Sequence, residues 1–275
     1  MEKNKKKKPI KPVVKPYLKG EPWDRNSLKT CLFFFISLFG VMFGFLILGG
    51  MLMWDNFLLR LVSNLMLVGV VYAIYFYNGA SRGTVDVNAG EILYTRRETG
   101  RSVDEDERRR CFHPLKGFVI GLVGSLPLLL VGIVFACIAQ QQLYGHGALP
   151  SWVSGIAGRA EVGDAIAYYT QGASMNLEDI LRLIVRLSIM PYVSILGTES
   201  SASLLSLERL CVLPLMLPAL FYGFGYSRGV AMRTRIHTDI ARNKRKARKK
   251  QKQLQQQKKQ EQRLAGPKKG PQQLN

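Results

Sequence analysis

The chain alternates between long apolar blocks and charged segments. Residues 31–53 and 117–139 are two blocks of 23 residues without a single charge. An α-helix needs about 20 consecutive apolar residues to cross the hydrocarbon core of a bilayer. The pattern therefore predicts transmembrane helices over about 31–54 and 117–139.

Two further apolar blocks carry a few polar residues near their ends. The first covers 57–77, with Arg60 near its start, and follows a three-residue turn at 54–56. The second covers about 204–226, has Glu208 and Arg209 near its start, and contains Pro214 and Pro218, which predict a kink. Both are long enough to cross a membrane, so the sequence predicts four spans.

Polar segments separate these blocks. Residues 1–29 mix lysines with prolines and are predicted to be a disordered tail. In the loop 78–116, β-branched and aromatic residues alternate with polar ones on either side of residues 88–90, which predicts a short β-hairpin (Val85, Val87, Ile92 and Tyr94). Ser102 followed by Glu105 resembles a capping box that would open a short helix through residues 108–110.

The segment 178–197 lies within a longer outer segment, 140–203, and allows two interpretations. Glu178, Arg182 and Arg186 share one helical face, which is surrounded by aliphatic residues. The segment could be a fifth span. We favour an amphipathic or re-entrant helix, because the uncharged run covers only 187–196 and Pro191 interrupts it.

The charge distribution decides between these topologies. The net charge is +20, to which residues 1–29 contribute +7 and residues 227–275 contribute +14. Lys and Arg flanking membrane spans are retained in the cytoplasm, and a fifth span would export the +14 tail. We therefore expect an all-α integral membrane protein of the bacterial plasma membrane. It would have four transmembrane helices, an outer helix, a cytoplasmic hairpin loop, cytoplasmic termini and a basic helical C-terminal arm over 227–275.

Candidate residues within the membrane fall into two groups. The polar residues nearest its interior are Arg60, Asn64, Glu208 and Arg209. An ion pair between Arg60 and Glu208 is geometrically possible, and the alternative is that both reach out to the headgroups. Small residues at intervals of four permit close helix packing, within the chain or in a homo-oligomer (Gly40 and Gly44; Gly117, Gly121 and Ser125).

The basic arm is the most distinctive feature of the sequence. Its dense cluster consists of Arg242, Lys244, Arg245, Lys246, Arg248, Lys249 and Lys250. Such clusters attract anionic lipid headgroups or a partner, and they also bind RNA phosphates, as a ribosome contact would require. No aromatic residue follows Tyr226, so nothing in the arm could stack on bases. We favour lipid contact over RNA.

The sequence contains no recognisable catalytic, cofactor-binding or metal-binding constellation. The carboxylates Glu161, Asp164, Glu178 and Asp179 could serve a membrane enzyme only if they shared a pocket. We therefore expect a non-enzymatic scaffold, assembly factor or accessory subunit. The alternative is a small transporter or channel subunit that acts as an oligomer and uses prolines such as Pro127 to break its helices.

Overall fold

The computed structural model describes residues 12–52, 54–139, 177–196 and 201–264. All of the regular secondary structure in these residues is helical. In chain order the helices are α1 (Arg25–Met51), α2 (Phe57–Glu98), α3 (Glu105–Arg109), α4 (Lys116–Ile138), α5 (Leu177–Ser188), α6 (Met190–Leu196), α7 (Ser201–Arg209), α8 (Val212–Ser227) and α9 (Gly229–Leu264).

Three helices, α1, α2 and α4, are long and apolar enough to cross a membrane. A fourth crossing results if α7 and the helix that follows it count as one span, which bends by 46° between them. The bend follows from Pro214, because its ring clashes with the carbonyl group four residues earlier, at Leu210, where the helix breaks. The described residues thus contain three or four candidate spans.

Helix α8 lies between α2 and α4 and packs closely against both. It runs parallel to α2, because Gly79 lies against Tyr222 and Gly83 lies against Tyr226 and Gly229. A Cβ atom on Gly79 or on Gly225 would overlap a backbone carbonyl group of the facing helix. Glycine at these positions therefore sets the distance between the two helices.

Helix α2 continues far beyond the predicted end of its span at residue 77. It is a single helix of 42 residues, so the predicted β-hairpin around residues 88–90 is wrong. The side chains expected to alternate across a strand instead lie on different faces of the helix: Val87 is buried, whereas Val85 and Ile92 are about half exposed. Residues 79–98 of α2 and 229–242 of α9 pack together into an extension that we call the stalk.

Residues 12–24 run along the stalk without forming a helix. The Leu18 N–H donates to the Gly90 carbonyl group, and the Gly20 N–H donates to that of Phe112. The Val13 N–H donates to Thr238 Oγ1 at 3.1 Å. These bonds tie the segment to both stalk helices, an attachment that the expectation of a disordered tail did not include; residues 1–11 lie outside the described part of the chain.

Helices α5 and α6 pack against α1, α2 and α4 at the opposite end of the bundle. Pro191 follows the break between them at Ile189, and neither helix is long enough to cross a membrane. The buried face of α5 carries a charged residue as well as the fully buried, apolar Val185. Its Arg182 faces the bundle and is 4% exposed, whereas Leu177 and Leu183 face outward.

Two further predictions concern the short helix after residue 102 and the helical arm. Helix α3 forms close to the predicted position, but Asp104 rather than Ser102 is its N-cap residue, without a side-chain capping bond. Helix α9 continues α8 almost without interruption and extends to Leu264. Residues 265–275 lie outside the described part of the chain.

Candidate functional site

A group of buried charges connects four helices where the apolar bundle meets the stalk. Lys116 Nζ lies 3.2 Å from Asp24 Oδ2 and 3.5 Å from Asp86 Oδ2. The Tyr226 hydroxyl donates to Asp86 Oδ2 at 2.6 Å. We call Asp24, Asp86, Lys116 and Tyr226 the Lys116 cluster; each is less than a tenth exposed.

Local sequence explains how each member is held. Asp24 is the N-cap residue of α1 and accepts the N–H of Ser27 at 2.6 Å. Lys116 is the first residue of α4, where the helix dipole disfavours a cation. The two carboxylates offset that cost, and Lys116 Nζ also donates to the Arg110 carbonyl group at 3.1 Å.

A second polar group lies within the stalk. His237 Nε2 lies 2.8 Å from Glu91 Oε1, and Arg233 Nε donates to Glu91 Oε2 at 3.0 Å. Arg233 also donates to the Asn88 side-chain carbonyl oxygen. Glu91 and His237 are both buried, so this group holds α9 to α2 beyond the apolar bundle.

The part of the basic arm from Arg242 onward lies beyond these contacts. Every residue from Arg242 to Glu261 is exposed, including all seven members of the dense basic cluster. The contacts Glu91–His237 and Gly83–Gly229 place residues of α9 about 146 positions after their neighbours on α2. Because the helices are parallel, the end of α2 at Glu98 lies level with about residue 244. The arm therefore projects past the stalk.

A third charged group lies at the other end of the bundle. Glu208 Oε1 lies 2.5 Å from Arg186 Nη2, and Glu208 Oε2 lies 3.5 Å from Arg182 Nε. Arg182 also pairs with Glu178 at 2.7 Å and lies over the Phe135 ring. We call Glu178, Arg182, Arg186 and Glu208 the Glu208 cluster. Glu208 is 2% exposed.

The other polar residues predicted in the membrane do not join this cluster. Arg60 lies over the Phe57 ring and donates to the Trp54 carbonyl group at 3.4 Å, so it does not form the considered ion pair with Glu208. Asn64 is fully buried and donates to the Arg60 carbonyl group at 2.9 Å. Arg209 is exposed.

The two small-residue series have different surroundings. Gly117 and Gly121 face α8, where a Cβ atom would meet Tyr226 and Ala219, respectively, and Ser125 is buried. By contrast, a Cβ atom on Gly40 or Gly44 would meet nothing within 4 Å. Within the described residues, only the series of Gly117, Gly121 and Ser125 packs against another helix of the chain.

Sequence reasoning missed the Lys116 cluster and the Glu91–His237 contact, because most of these contacts join residues that are 92 to 146 positions apart. One signal was present. Residues Gly79, Gly83, Val87 and Gly90 recur at intervals of three or four, which is the spacing of one helical face. That periodicity competed with the local β pattern and would have favoured a helix.

The described residues also include a small internal cavity and a cysteine thiol whose pKa is changed by burial. A cavity of about 30 Å³ lies inside the bundle beside Tyr72 and Tyr192, whose hydroxyl groups are 2.7 Å apart. That volume accommodates roughly one or two water molecules. Outside the spans, burial raises the pKa of the Cys111 thiol.

No family model matches this chain, and no curated protein or solved structure matches it either.

Proposed function

We propose that this chain is a non-enzymatic multi-pass membrane scaffold or accessory subunit that presents its basic arm to a polyanionic partner in the cytoplasm. The observation that carries the proposal is the exposure of every residue from Arg242 to Glu261 on a helix that projects past the stalk. The exposed part of this helix packs against no other described element, so it is suited to contact another molecule.

The proposed topology has four spans, with the bent pair α7–α8 as the fourth. Charged residues that border the apolar parts of the helices lie close together at the Lys116 end, since Lys116 contacts Asp24 and Asp86, and Asp86 lies near Arg82. Both terminal segments leave the bundle at this end, as the bond between Val13 and Thr238 requires. Because this end carries both basic tails, we place it in the cytoplasm.

The reach of the arm favours a partner over the headgroups of the surrounding membrane. Arg242 is 16 residues beyond Tyr226, which corresponds to about 24 Å of helix. Charge interactions in water are screened beyond about 8 Å at physiological salt. An arm that continues along the stalk therefore holds its charges beyond the range of the membrane surface.

The distribution of charge around the arm also favours a partner over the membrane surface. The seven bases of the cluster spread over about two thirds of the helix circumference, and Leu254 is the one large apolar residue between Arg242 and Glu261. A helix that lies in a membrane surface needs an apolar face to insert, and residues 242–261 of the arm have none. A flexible or grooved polyanion can surround such a helix.

The test replaces the seven clustered bases with glutamine, which keeps the helix propensity and removes the charge. Binding of a 20-nucleotide single-stranded RNA and of a polyglutamate chain would be measured by fluorescence anisotropy on the full chain in nanodiscs. We expect at least one probe to bind, and the variant to lose about 100-fold or more in affinity at low salt.

The arm supplies its own matched control. Its helix α9 contains seven glutamines, Gln251, Gln253, Gln255, Gln256, Gln257, Gln260 and Gln262, whose replacement by alanine alters as many positions and no charge. This control should bind as the wild type does. The proposal is wrong if neither probe binds, or if the uncharged cluster binds equally well. A preference for one probe would identify the class of partner.

A separate experiment tests the topology. Reporters fused before residue 12 and after residue 264 should both be active only on the cytoplasmic side. An exterior C-terminal reporter would contradict the four-span arrangement.

A further inference from the structure

A region of mixed charge, distinct from the arm, lies where the Lys116 end meets the apolar bundle. A cavity of about 440 Å³ is bounded by Glu21, Trp23, Asp24, Arg25, Asp106, Arg109 and Arg110. The residues come from the segment before α1, the first turn of α1 and the α3 region. Its volume falls within the roughly 300–1,000 Å³ of small-ligand pockets.

The charges that line this cavity are unequally satisfied. Asp24 is already neutralised by Lys116. Arg109 is shared between Glu21 at 3.4 Å and Asp106 at 3.8 Å, so one cation faces two carboxylates. Arg25 and Arg110 are exposed and form no salt bridge with the described residues. The cavity thus offers two guanidinium groups for an anion and a surplus carboxylate for a cation.

The position of the cavity places it beside lipid. Leu28 and Leu32 follow Arg25 on the same face of α1, and they are 65% and 59% exposed. Trp23 is 39% exposed, and tryptophan is enriched at the boundary between headgroups and acyl chains. A molecule in the cavity could therefore extend an apolar tail along α1.

We propose that this cavity binds the headgroup of a phospholipid that carries both a phosphate and a primary ammonium group, as phosphatidylethanolamine does. Arg25 and Arg110 bind the phosphate, because guanidinium groups match phosphate oxygens in charge and geometry. Glu21 and Asp106 accept hydrogen bonds from the ammonium group. The acyl chains lie over Leu28 and Leu32. The inference needs a membrane at this level and holds for either orientation of the chain.

The mixed charge of the cavity predicts discrimination between headgroups. A quaternary ammonium, as in phosphatidylcholine, has no N–H to donate to Glu21 or Asp106. Phosphatidylglycerol offers no cation at all, so it leaves the surplus carboxylate unmatched. The proposed site should therefore prefer phosphatidylethanolamine over both.

The experiment is native mass spectrometry of the full chain released from nanodiscs that contain equal amounts of these three lipids. The wild type should retain phosphatidylethanolamine over phosphatidylcholine by about fivefold, the effect of one or two hydrogen bonds. The double variant Arg25→Gln, Arg110→Gln should lose retained phospholipid of every headgroup. The variant Glu21→Gln, Asp106→Asn should still bind lipid but lose the preference.

Lys29 provides the matched control, since it is exposed on the same face of α1 one turn beyond Arg25 and does not line the cavity. Lys29→Gln should retain lipid as the wild type does. Equal retention of the three lipids by the wild type would overturn the proposal, as would an equal loss in Lys29→Gln. Retention of soluble phosphoethanolamine as strong as that of the lipid would also overturn it, because the acyl chains over Leu28 and Leu32 would then contribute nothing.

Circular dichroism and thermal midpoints must show that all variants are folded. None of these outcomes depends on the basic arm, whose seven bases stay unchanged. The lipid site and the arm can therefore fail independently.

Discussion

The two buried charge clusters at opposite ends of the bundle are constructed differently. The Lys116 cluster joins α1, α2, α4 and α8, and its contacting members are 30, 92 and 140 positions apart in sequence. The Glu208 cluster joins α5 to α7, whose charged residues are 22 to 30 positions apart. Both neutralise charge away from water. Only the first fixes the positions of distant helices relative to one another.

The difference indicates which cluster the fold depends on. In the Lys116 cluster a single ammonium group serves two carboxylates, so its removal leaves both without their shared cation. In the Glu208 cluster one carboxylate serves two guanidinium groups, and Arg186 remains 28% exposed, so it can reach water. We therefore expect the Lys116 end to be the more sensitive of the two.

The largest effect is predicted for Lys116→Met. The substitution keeps most of the side-chain volume and leaves Asp24 and Asp86 as buried carboxylates without their ammonium partner. Breaking a buried ion pair from one side costs about 3–5 kcal/mol. The free energy of unfolding in detergent, from denaturant titration followed by circular dichroism, measures the loss. Lys29→Met, at an exposed position, should change it by less than about 0.5 kcal/mol. Equal stability of both variants would refute the importance of the cluster.

Glycine substitutions should separate the effect of the distance between α2 and α8 from the effect of charge. A Cβ atom on Gly225 would overlap the Phe76 carbonyl group, so Gly225→Ala should push α8 away from α2 and draw Tyr226 off Asp86. The expected cost is about 1–3 kcal/mol, the usual range for overpacking. Gly69→Ala is the control, because a Cβ atom there meets nothing within 4 Å. A thermal midpoint that is unchanged in Gly225→Ala would show that the helices can separate without cost.

Substitutions at the Glu208 end should cost less stability, and two double-mutant cycles would show why. Combining Glu208→Gln with Arg186→Gln should give a coupling energy of about 1 kcal/mol, because the two side chains are in contact at 2.5 Å. Combining Glu208→Gln with Arg60→Gln should give a value near zero, since Arg60 contacts Trp54 and Phe57 instead. A sizeable coupling to Arg60 would restore the ion pair considered from the sequence.

The same contrast explains how much the sequence could predict. Helices α1 and α4 follow directly from uncharged blocks of 23 residues, since few alternatives exist for such segments. The continuation of α2 was missed because the alternation of Val85, Val87, Ile92 and Tyr94 around a turn-forming triplet resembles a hairpin. Local propensity lost to tertiary contacts, because this stretch packs along α9 and the segment before α1.

The clusters differ in the same respect. Glu178, Arg182 and Arg186 share a helical face by their spacing alone, so three of the four members of the Glu208 cluster were visible in the sequence. In the structure this face turns toward the bundle, because Glu208 lies inside and attracts it. Nothing in the spacing of Asp24, Asp86 and Lys116 indicates that they meet. Their contact depends on how four helices pack.

The smallest predicted effect concerns acid, and it distinguishes the Lys116 cluster from other carboxylates. Burial by itself raises the pKa of Asp24, but hydrogen bonds from Ser27 and the Lys116 charge outweigh it, so the pKa lies below its ordinary value of 3.8. A carboxyl group with a lowered pKa in the folded state contributes stability above the unfolded pKa. That contribution disappears as the pH falls through the folded pKa, here below about pH 4.

Thermal midpoints between pH 6 and pH 3 should therefore fall at the acid end of the range. Asp24→Asn should lower the midpoint at pH 6 and reduce its fall toward pH 3, because the asparagine cannot be protonated in this range. Asp106→Asn is the matched control, since the Asp106 side chain is 78% exposed. It should leave the pH dependence unchanged. If Asp24→Asn kept the full acid dependence of the wild type, the carboxylate at the start of α1 would not be the group whose protonation loosens the Lys116 end.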